Sequence, residues 1–289
     1  MRILLTGASG QLGAYLIDRL LAAKHDIVAW SGSTEGSRQG VAFRRVDLAD
    51  TPATDRAIEA AAPEVILHAA AISSAEVAWR DPDRAWAVNV EATARLVDWA
   101  DRRGGRVIFT STDLVFDGSK GWNREDDPAE PLLAYGVTKR EAERAVLGSS
   151  RGVVARLSLL YGTSRSGRPS YFDQSIEALR RGEPRSFFED EYRTPLDLAT
   201  AAEVLVRLAE CEFRGVIHVG GRERLSRFEL MRRAAACLGI DPALVRASRR
   251  ADAASPEPRP ADVSLDTSLL ASTFPDLARP PVGETWPAG

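Results

Sequence analysis

Short apolar runs alternate with longer stretches in which apolar side chains recur every third or fourth residue. Residues 3–5, 27–30, 41–46, 65–68 and 107–110 are of strand length and rich in branched side chains. Such runs fit strands covered on both faces. Between them, residues 12–23, 54–62, 83–103 and 135–147 carry helical spacing. The β-α-β-α rhythm predicts an α/β chain with a parallel, doubly wound sheet. Residues 153–156 extend it by a sixth strand.

After about residue 160 the rhythm loosens. A polar loop over 162–170 precedes helices at 172–181, 198–211 and 228–238 and a strand at 216–219. Pro256, Pro258 and Pro260 mark residues 251–261 as irregular surface chain. The organisation expected is a cofactor domain over 1–160 and a smaller substrate-binding α/β cap over 161–289, with some cap segments returning to the sheet.

The first strand runs directly into Thr6-Gly7-Ala8-Ser9-Gly10-Gln11-Leu12-Gly13, which opens the first helix. A helix N-terminus presents unpaired N–H groups and the positive end of its dipole, so it attracts phosphate. Gly7 allows the tight turn, Gly10 lets backbone approach a pyrophosphate, and Gly13 lets helix and strand pack closely. In this strand–turn–helix context the glycines predict a Rossmann-type dinucleotide site.

The second strand ends in Trp30-Ser31-Gly32-Ser33, without the carboxylate that would bind the ribose 2′-hydroxyl of NAD. Ser31 and Ser33 leave room for a 2′-phosphate, with Arg38 as its counter-charge, which favours NADP. Glu35 keeps NAD open. Asp47 and Leu48, after the third strand, are placed either to meet the adenine or to start the next helix.

A second motif, Tyr135-Gly136-Val137-Thr138-Lys139, sets a phenol and an ammonium four residues apart on one helix face. Five tyrosines and three lysines in 289 residues make an accidental pair of this spacing rare. A neighbouring ammonium stabilises tyrosinate and draws its pKa down from about 10. Such a tyrosine can give a proton to a carbonyl oxygen as hydride arrives. Ser111 or Thr112, at the end of the fifth strand, can hold that carbonyl, since doubly wound sheets place ligands at strand carboxyl ends.

Composition narrows the alternatives. Apolar residues make up 44% and charged residues 27%, enough for a sizeable core. A net charge of −3 gives no general attraction to nucleic acid or anionic membrane. Cys211, Cys237 and the three histidines do not cluster, so no metal site is expected. No apolar stretch has signal-peptide or membrane-span length, and a cytoplasmic location is expected.

The glycine turn, His68-Ala69-Ala70-Ala71, Ser111-Thr112-Asp113-Leu114-Val115-Phe116-Asp117-Gly118 and Tyr135-Gly136-Val137-Thr138-Lys139 together resemble the extended short-chain dehydrogenase/reductases. Among these the chain looks most like the dTDP-4-dehydrorhamnose reductase branch. The resemblance is dense over the first 160 residues and thin thereafter. It implies Thr112, Tyr135 and Lys139 as the catalytic set, with Ser111 a neighbour. It implies that Gly7, Ser9, Gly10, Gln11, Leu12, Gly13, Ala69, Ala70, Ala71, Asn89, Tyr135 and Lys139 line the cofactor. His68 then reads as a satisfied core residue.

The same resemblance implies a nucleotide-sugar substrate, with Ser73, Thr112, Arg193 and Arg259 among its contacts, and leaves room for a homodimer. A guanidinium suits this task because it grips phosphate bidentately. Where many extended members carry an asparagine, this chain has Gly167-Arg168-Pro169-Ser170-Tyr171-Phe172. The expected activity is reduction of a ketone on a sugar nucleotide by NAD(P)H. The alternatives are an epimerase or dehydratase that retains NAD, and a non-catalytic NADP-binding regulatory subunit.

Overall fold

A computed structural model describes residues 1–32, 34–253 and 255–284. In chain order the first elements are β1 (Arg2–Thr6), α1 (Gln11–Ala22), β2 (Asp26–Ser31), β3 (Gly36–Arg38), β4 (Val41–Arg45), α2 (Thr51–Ala61) and β5 (Val65–His68). Then come α3 (Ala75–Arg80), α4 (Pro82–Trp86), a wide π turn (Ala87–Glu91), α5 (Ala92–Arg103), β6 (Arg106–Thr112), α6 (Ala134–Gly148) and β7 (Gly152–Leu157). The remainder holds β8 (Leu160–Tyr161), α7 (Tyr171–Arg180), β9 (Arg185–Phe188), β10 (Tyr192–Arg193), β11 (Leu196–Asp197), α8 (Leu198–Glu210) and β12 (Gly215–Val219). It ends with β13 (Leu225–Ser226), α9 (Arg227–Cys237), β14 (Val245–Ser248) and α10 (Ser268–Thr273).

These elements form two compact units. The first comprises residues 1–112, 133–156 and 202–217; the second comprises 113–132, 157–201 and 218–289. The two units interleave along the chain. Residues 113–132 group with the second unit, and most of α8 groups with the first.

An eight-stranded sheet runs in the order β12-β7-β6-β5-β1-β2-β4-β3. Pairing is parallel from β4 through β2, β1 and β5 to β6, and β3 lies antiparallel at the edge. Strand order reverses between β1 and β5, the place where open α/β sheets bind ligands. Here Thr6 stands in register with His68, and His68 with Phe109. Ile3, Leu4, Leu5, Ile66, Leu67, Ile108 and Phe109 are all buried, as continuous apolar strands require.

Two local features depart from the periodicity. Gln39 and Gly40 both take positive φ, the turn geometry that joins β3 to β4, so the edge strand begins earlier than its apolar residues do. The helix expected across 83–103 is interrupted by the π turn, where the Thr93 hydroxyl donates to the Asn89 carbonyl at 2.7 Å. A side chain that bonds backbone in this way competes with regular helix, and single π turns cluster at functional sites.

The second unit is built from short ladders. β9 pairs with β14 and β8 with β11, both parallel, while β10 and β13 are antiparallel. Helices α7 and α9 start with reciprocal capping boxes, Ser170 with Asp173 and Ser226 with Glu229. Their apolar faces meet in a core containing Tyr161, Phe172, Phe187, Leu230 and Met231.

Candidate active site

The glycine turn follows β1 at the strand-order reversal. Gly7 has φ +72, and a Cβ there would lie 2.8 Å from the Ala70 nitrogen. A Cβ on Gly13 would collide with the Gly7 carbonyl oxygen, so helix and turn meet backbone to backbone. Gly10 is the N-cap of α1 and offers no side chain to the first-turn N–H groups, and that turn carries no acidic residue. These groups suit a pyrophosphate. The residues present therefore fit a dinucleotide at this turn.

Beyond β5, Ala69, Ala70 and Ala71 are half-buried and run without regular structure. Their course is fixed by hydrogen bonds. The Ala70 N–H donates to Thr6 Oγ1 at 3.1 Å. Asn89 accepts from the Ile72 N–H at 2.8 Å and returns a bond to the Ile72 carbonyl at 3.1 Å. Asn89 is 1% exposed, so its amide clamps this segment. Its Nδ2 also donates to Thr138 Oγ1 at 2.9 Å, and Thr138 donates to the Tyr135 carbonyl at 2.8 Å.

His68 is fully buried and bonded at both ring nitrogens. Thr93 spends its only hydroxyl proton on the Asn89 carbonyl, so Nε2 of His68 carries a proton and donates to Thr93. Burial, helped by the charge of Lys139, pushes the imidazole down to about 3. The ring is neutral and is no base for the reaction.

Helix α6 buries a polar face of Thr138, Lys139 and Glu143. Tyr135, Lys139 and Glu143 recur every fourth residue, on one side of the helix. Lys139 is 1% exposed, and its Nζ lies 3.9 Å from the centre of the Phe109 ring. Burial lowers its pKa to about 7, against the raising influence of Glu143. Glu143 accepts from Arg156 of β7 at 3.0 and 2.8 Å and from the Ser111 hydroxyl. Ser111 is thereby committed to α6. Thr112, buried at the carboxyl end of β6, is the other hydroxyl at that strand end.

The other expected residues sit in varied surroundings. Ser31 is buried and its hydroxyl donates to the Thr34 carbonyl. Ser33 lies outside the described residues. Arg38 donates to both carboxylate oxygens of Asp18 at 2.8 Å. Asp47 receives Arg84 at 2.9 Å on each oxygen, and Leu48 is buried. Ser73 is exposed, just before Ser74, the cap of α3.

In the second unit, Arg193 is 4% exposed and donates to Asp113 at 2.5 Å and to Glu191 at 3.4 Å. Arg259 also donates to Glu191, at 2.9 Å, and Arg227 does so at 2.5 Å. Three guanidiniums thus surround one carboxylate. Burial raises the pKa of Glu191, but Arg227, Arg193 and Arg259 outweigh it and hold the group at about 2. Sequence reasoning missed this hub, as it missed Glu143 and Arg156. A charge within the buried Val153-Val154-Ala155-Arg156 run, and the spacing of Glu143 from Lys139, were the signals for that pair.

Among the described residues no group of His, Cys, Asp and Glu could hold a metal ion, and no helix is long and apolar enough to cross a membrane. A family model described as the RmlD substrate binding domain matches residues 1–280. The chain belongs to this family. Among its relatives is methionine adenosyltransferase 2 subunit beta of Bos taurus, 32% identical over 79% of this chain and 70% of that protein. Another is a probable dTDP-4,6-dihydroxy-2-methyloxan-3-one 4-ketoreductase of Streptomyces antibioticus, 30% identical over 90% of this chain and 85% of that one. The crystal structure of a hypothetical dTDP-4-dehydrorhamnose reductase from Sulfolobus tokodaii is similar over 96% of both chains, with 29% identity and a TM-score of 0.82. The structure of MoeE5 in complex with UDP-glucose and NAD, 26% identical, covers 98% of this chain and 95% of that one with a TM-score of 0.79.

Proposed function

We propose that this chain is an NADPH-dependent reductase of a ketone on a nucleotide-linked sugar. The observation that carries the reading is a buried lysine, Lys139, on the same face of α6 as Tyr135, in the unit that holds the glycine turn. A lysine is seldom buried without a task. The Streptomyces relative, named as a ketoreductase of a dTDP-linked compound, supports the reaction class. The Sulfolobus neighbour supports it as well.

When bound, NADPH supplies the hydride. Gly7, Ser9, Gly10, Gln11, Leu12 and Gly13 would hold its pyrophosphate, and Ala69 to Ala71 would flank it along a course set by Asn89. Asp47 and Leu48 are proposed to meet the adenine. Ser31, Ser33 and Arg38 are proposed to accommodate the 2′-phosphate, with NAD accepted less well. Tyr135 gives its phenolic proton to the ketone oxygen, and Thr112 donates a hydrogen bond to the same oxygen. Lys139 holds the nicotinamide ribose and stabilises the tyrosinate left behind. Ser73 and Arg259 are proposed as substrate contacts, with Arg259 meeting the diphosphate. Arg193 acts through Asp113, the residue after Thr112.

The test is oxidation of NADPH and NADH with nucleotide-linked ketosugars. Tyr135→Phe should bind NADPH as the parent does and lose about 10²–10⁴ in turnover. Retained turnover would refute the assignment of the proton donor. A second reading follows from the relatives named as a methionine adenosyltransferase subunit: the chain would then be a cofactor-binding subunit without turnover of its own. NADPH binding with no oxidation across a broad ketone panel would select it.

A further inference from the structure

Glu143 and Arg156 are buried, charged and unused by the reaction as proposed. Their side chains are only 4% and 6% exposed. Burying such a pair costs desolvation that an apolar pair would avoid, so its presence calls for a reason. The pair is also joined to the catalytic helix at a particular point. Glu143 stands one turn beyond Lys139 on α6, and its carboxylate is held from two neighbouring strands. Arg156 reaches it from β7 through two N–H groups, and Ser111 donates from β6. A carboxylate so fixed cannot rotate away from the helix face that carries Lys139.

We propose that Glu143, fixed by Arg156 and Ser111, is a positioning residue that keeps the Lys139 ammonium charged in its buried site. The proposal rests on the reductase reading for its catalytic consequence, but not for its electrostatic one. The Lys139 amine faces the Phe109 ring on one side. The ionisable groups that feel its charge are Glu143 on α6 and His68 on β5, and Tyr135 lies one turn before it on the same helix face. His68 is neutral above about pH 3 and adds no charge at working pH. Other elements packed on α6 keep their charges occupied elsewhere. On α3, Glu76 pairs with Arg80; on α4, Arg84 pairs with Asp47 and Asp81 caps the helix. On α5, Asp98 pairs with Arg102, Arg95 with Asp55 and Arg103 with Glu59, while Asp83 on α4 and Glu91 in the π turn are exposed. Arg106, at the far end of β6, donates to the Cys211 and Phe213 carbonyls. Glu143 is therefore the one nearby anion on this face of α6, among the described residues. Without it, burial acts on Lys139 unopposed, and an ammonium that falls neutral no longer stabilises tyrosinate.

The chain has three lysines, Lys24, Lys120 and Lys139, so lysine labelled at Cε gives an NMR spectrum simple enough to titrate each one. In the full-length parent, Lys139 should titrate near 7. In Glu143→Gln it should titrate about one unit lower, which is about tenfold less ammonium at a given pH above that value. Lys24 and Lys120 should be unmoved. The pH profile of NADPH oxidation should shift its alkaline limb down by the same amount. If Glu143→Gln does not fold, Glu143→Gln combined with Arg156→Gln also removes the guanidinium that the single substitution leaves unpaired, and should move Lys139 in the same direction. An unmoved Lys139 titration in a folded variant overturns the proposal, whether or not the protein reduces ketones. A moved titration with an unmoved pH profile overturns its catalytic part alone. Absence of any ketone reduction in the parent counts against the reductase reading, and the Lys139 titration then decides the role of Glu143 by itself.

Discussion

In both units a buried carboxylate is outnumbered by cations, but a different partner carries the perturbation. In the first, one carboxylate serves two cations, and Lys139, the one a turn away on the same helix, is left with a pKa near 7. In the second, one carboxylate serves three guanidiniums, and Glu191 is held near 2. The first arrangement leaves an ammonium that is easily neutralised beside a tyrosine. The second leaves a carboxylate that gives up its charge only in strong acid. An under-compensated buried charge is poised for chemistry, whereas an over-compensated one fastens chain segments together. Glu191 does the latter for β10, α9 and the segment around Arg259.

This contrast is broken most sharply at Lys139. Its folded pKa lies below the 10.5 of the unfolded chain, so between pH 7 and 10.5 the unfolded state binds more protons and stability rises with pH. At or below neutrality the full cost of the buried ammonium is present. Lys139→Met should therefore lose about 10²-fold or more in turnover. It should also gain stability at pH 6.5, where the buried ammonium is charged, with the gain shrinking towards pH 10. Calorimetry at the two pH values checks the sign. A variant that is less stable at pH 6.5 would mean that Lys139 is a structural ion-pair partner like those of the second unit.

Glu191→Gln should do the reverse in the second unit. Three guanidiniums lose their shared charge, and breaking a buried ion pair costs about 3–5 kcal/mol. For a chain of this size that is a fall of roughly 10 °C in Tm. NADPH binding at the glycine turn, in the first unit, should be retained when the protein is held below that transition. A Tm within about 2 °C of the parent would show that the arginines are solvated enough not to need the carboxylate.

How much of this was legible follows from the range of the interactions. The sheet and the glycine turn could be read because apolar runs and a strand–turn–helix signature are local. Tyr135 and Lys139 were readable for the same reason, since four residues along a helix are neighbours. The residues by themselves left Ser111 and Thr112 open, and the family resemblance favoured Thr112. Strand residues alternate faces, and the three-dimensional course of α6 adds the physical reason, since Ser111 is bonded to Glu143. The Glu191 hub joins residues up to 68 positions apart, Glu191 to Arg259, so no window on the chain contains it. Arginine-rich composition concealed it further, because each guanidinium looked equally fit for a phosphate.

The mildest difference between the units is in acid, where His68 of the first and Glu191 of the second lose their contributions over different ranges. His68 has a folded pKa of about 3 against 6.5 in the unfolded chain. Between these values the unfolded state binds the extra proton, so its contribution to stability is present above pH 6.5 and lost as pH falls. Glu191, at about 2 against 4.5, contributes fully above 4.5 and loses that contribution as pH falls through 2. From pH 6.5 to 4.5 His68 is therefore the one of the two that acts, with a slope of at most about 1.4 kcal/mol per pH unit for one proton. Below 4.5 both act. His68→Gln keeps a polar side chain at the position and removes the titration. It should flatten the plot of Tm against pH above 4.5 and leave the steeper fall below it, whatever its Tm at neutral pH. A slope between 6.5 and 4.5 that survives the substitution would assign the early acid limb to groups other than the imidazole. That would also remove the reason for treating His68 as a neutral strut between the glycine turn and the π turn.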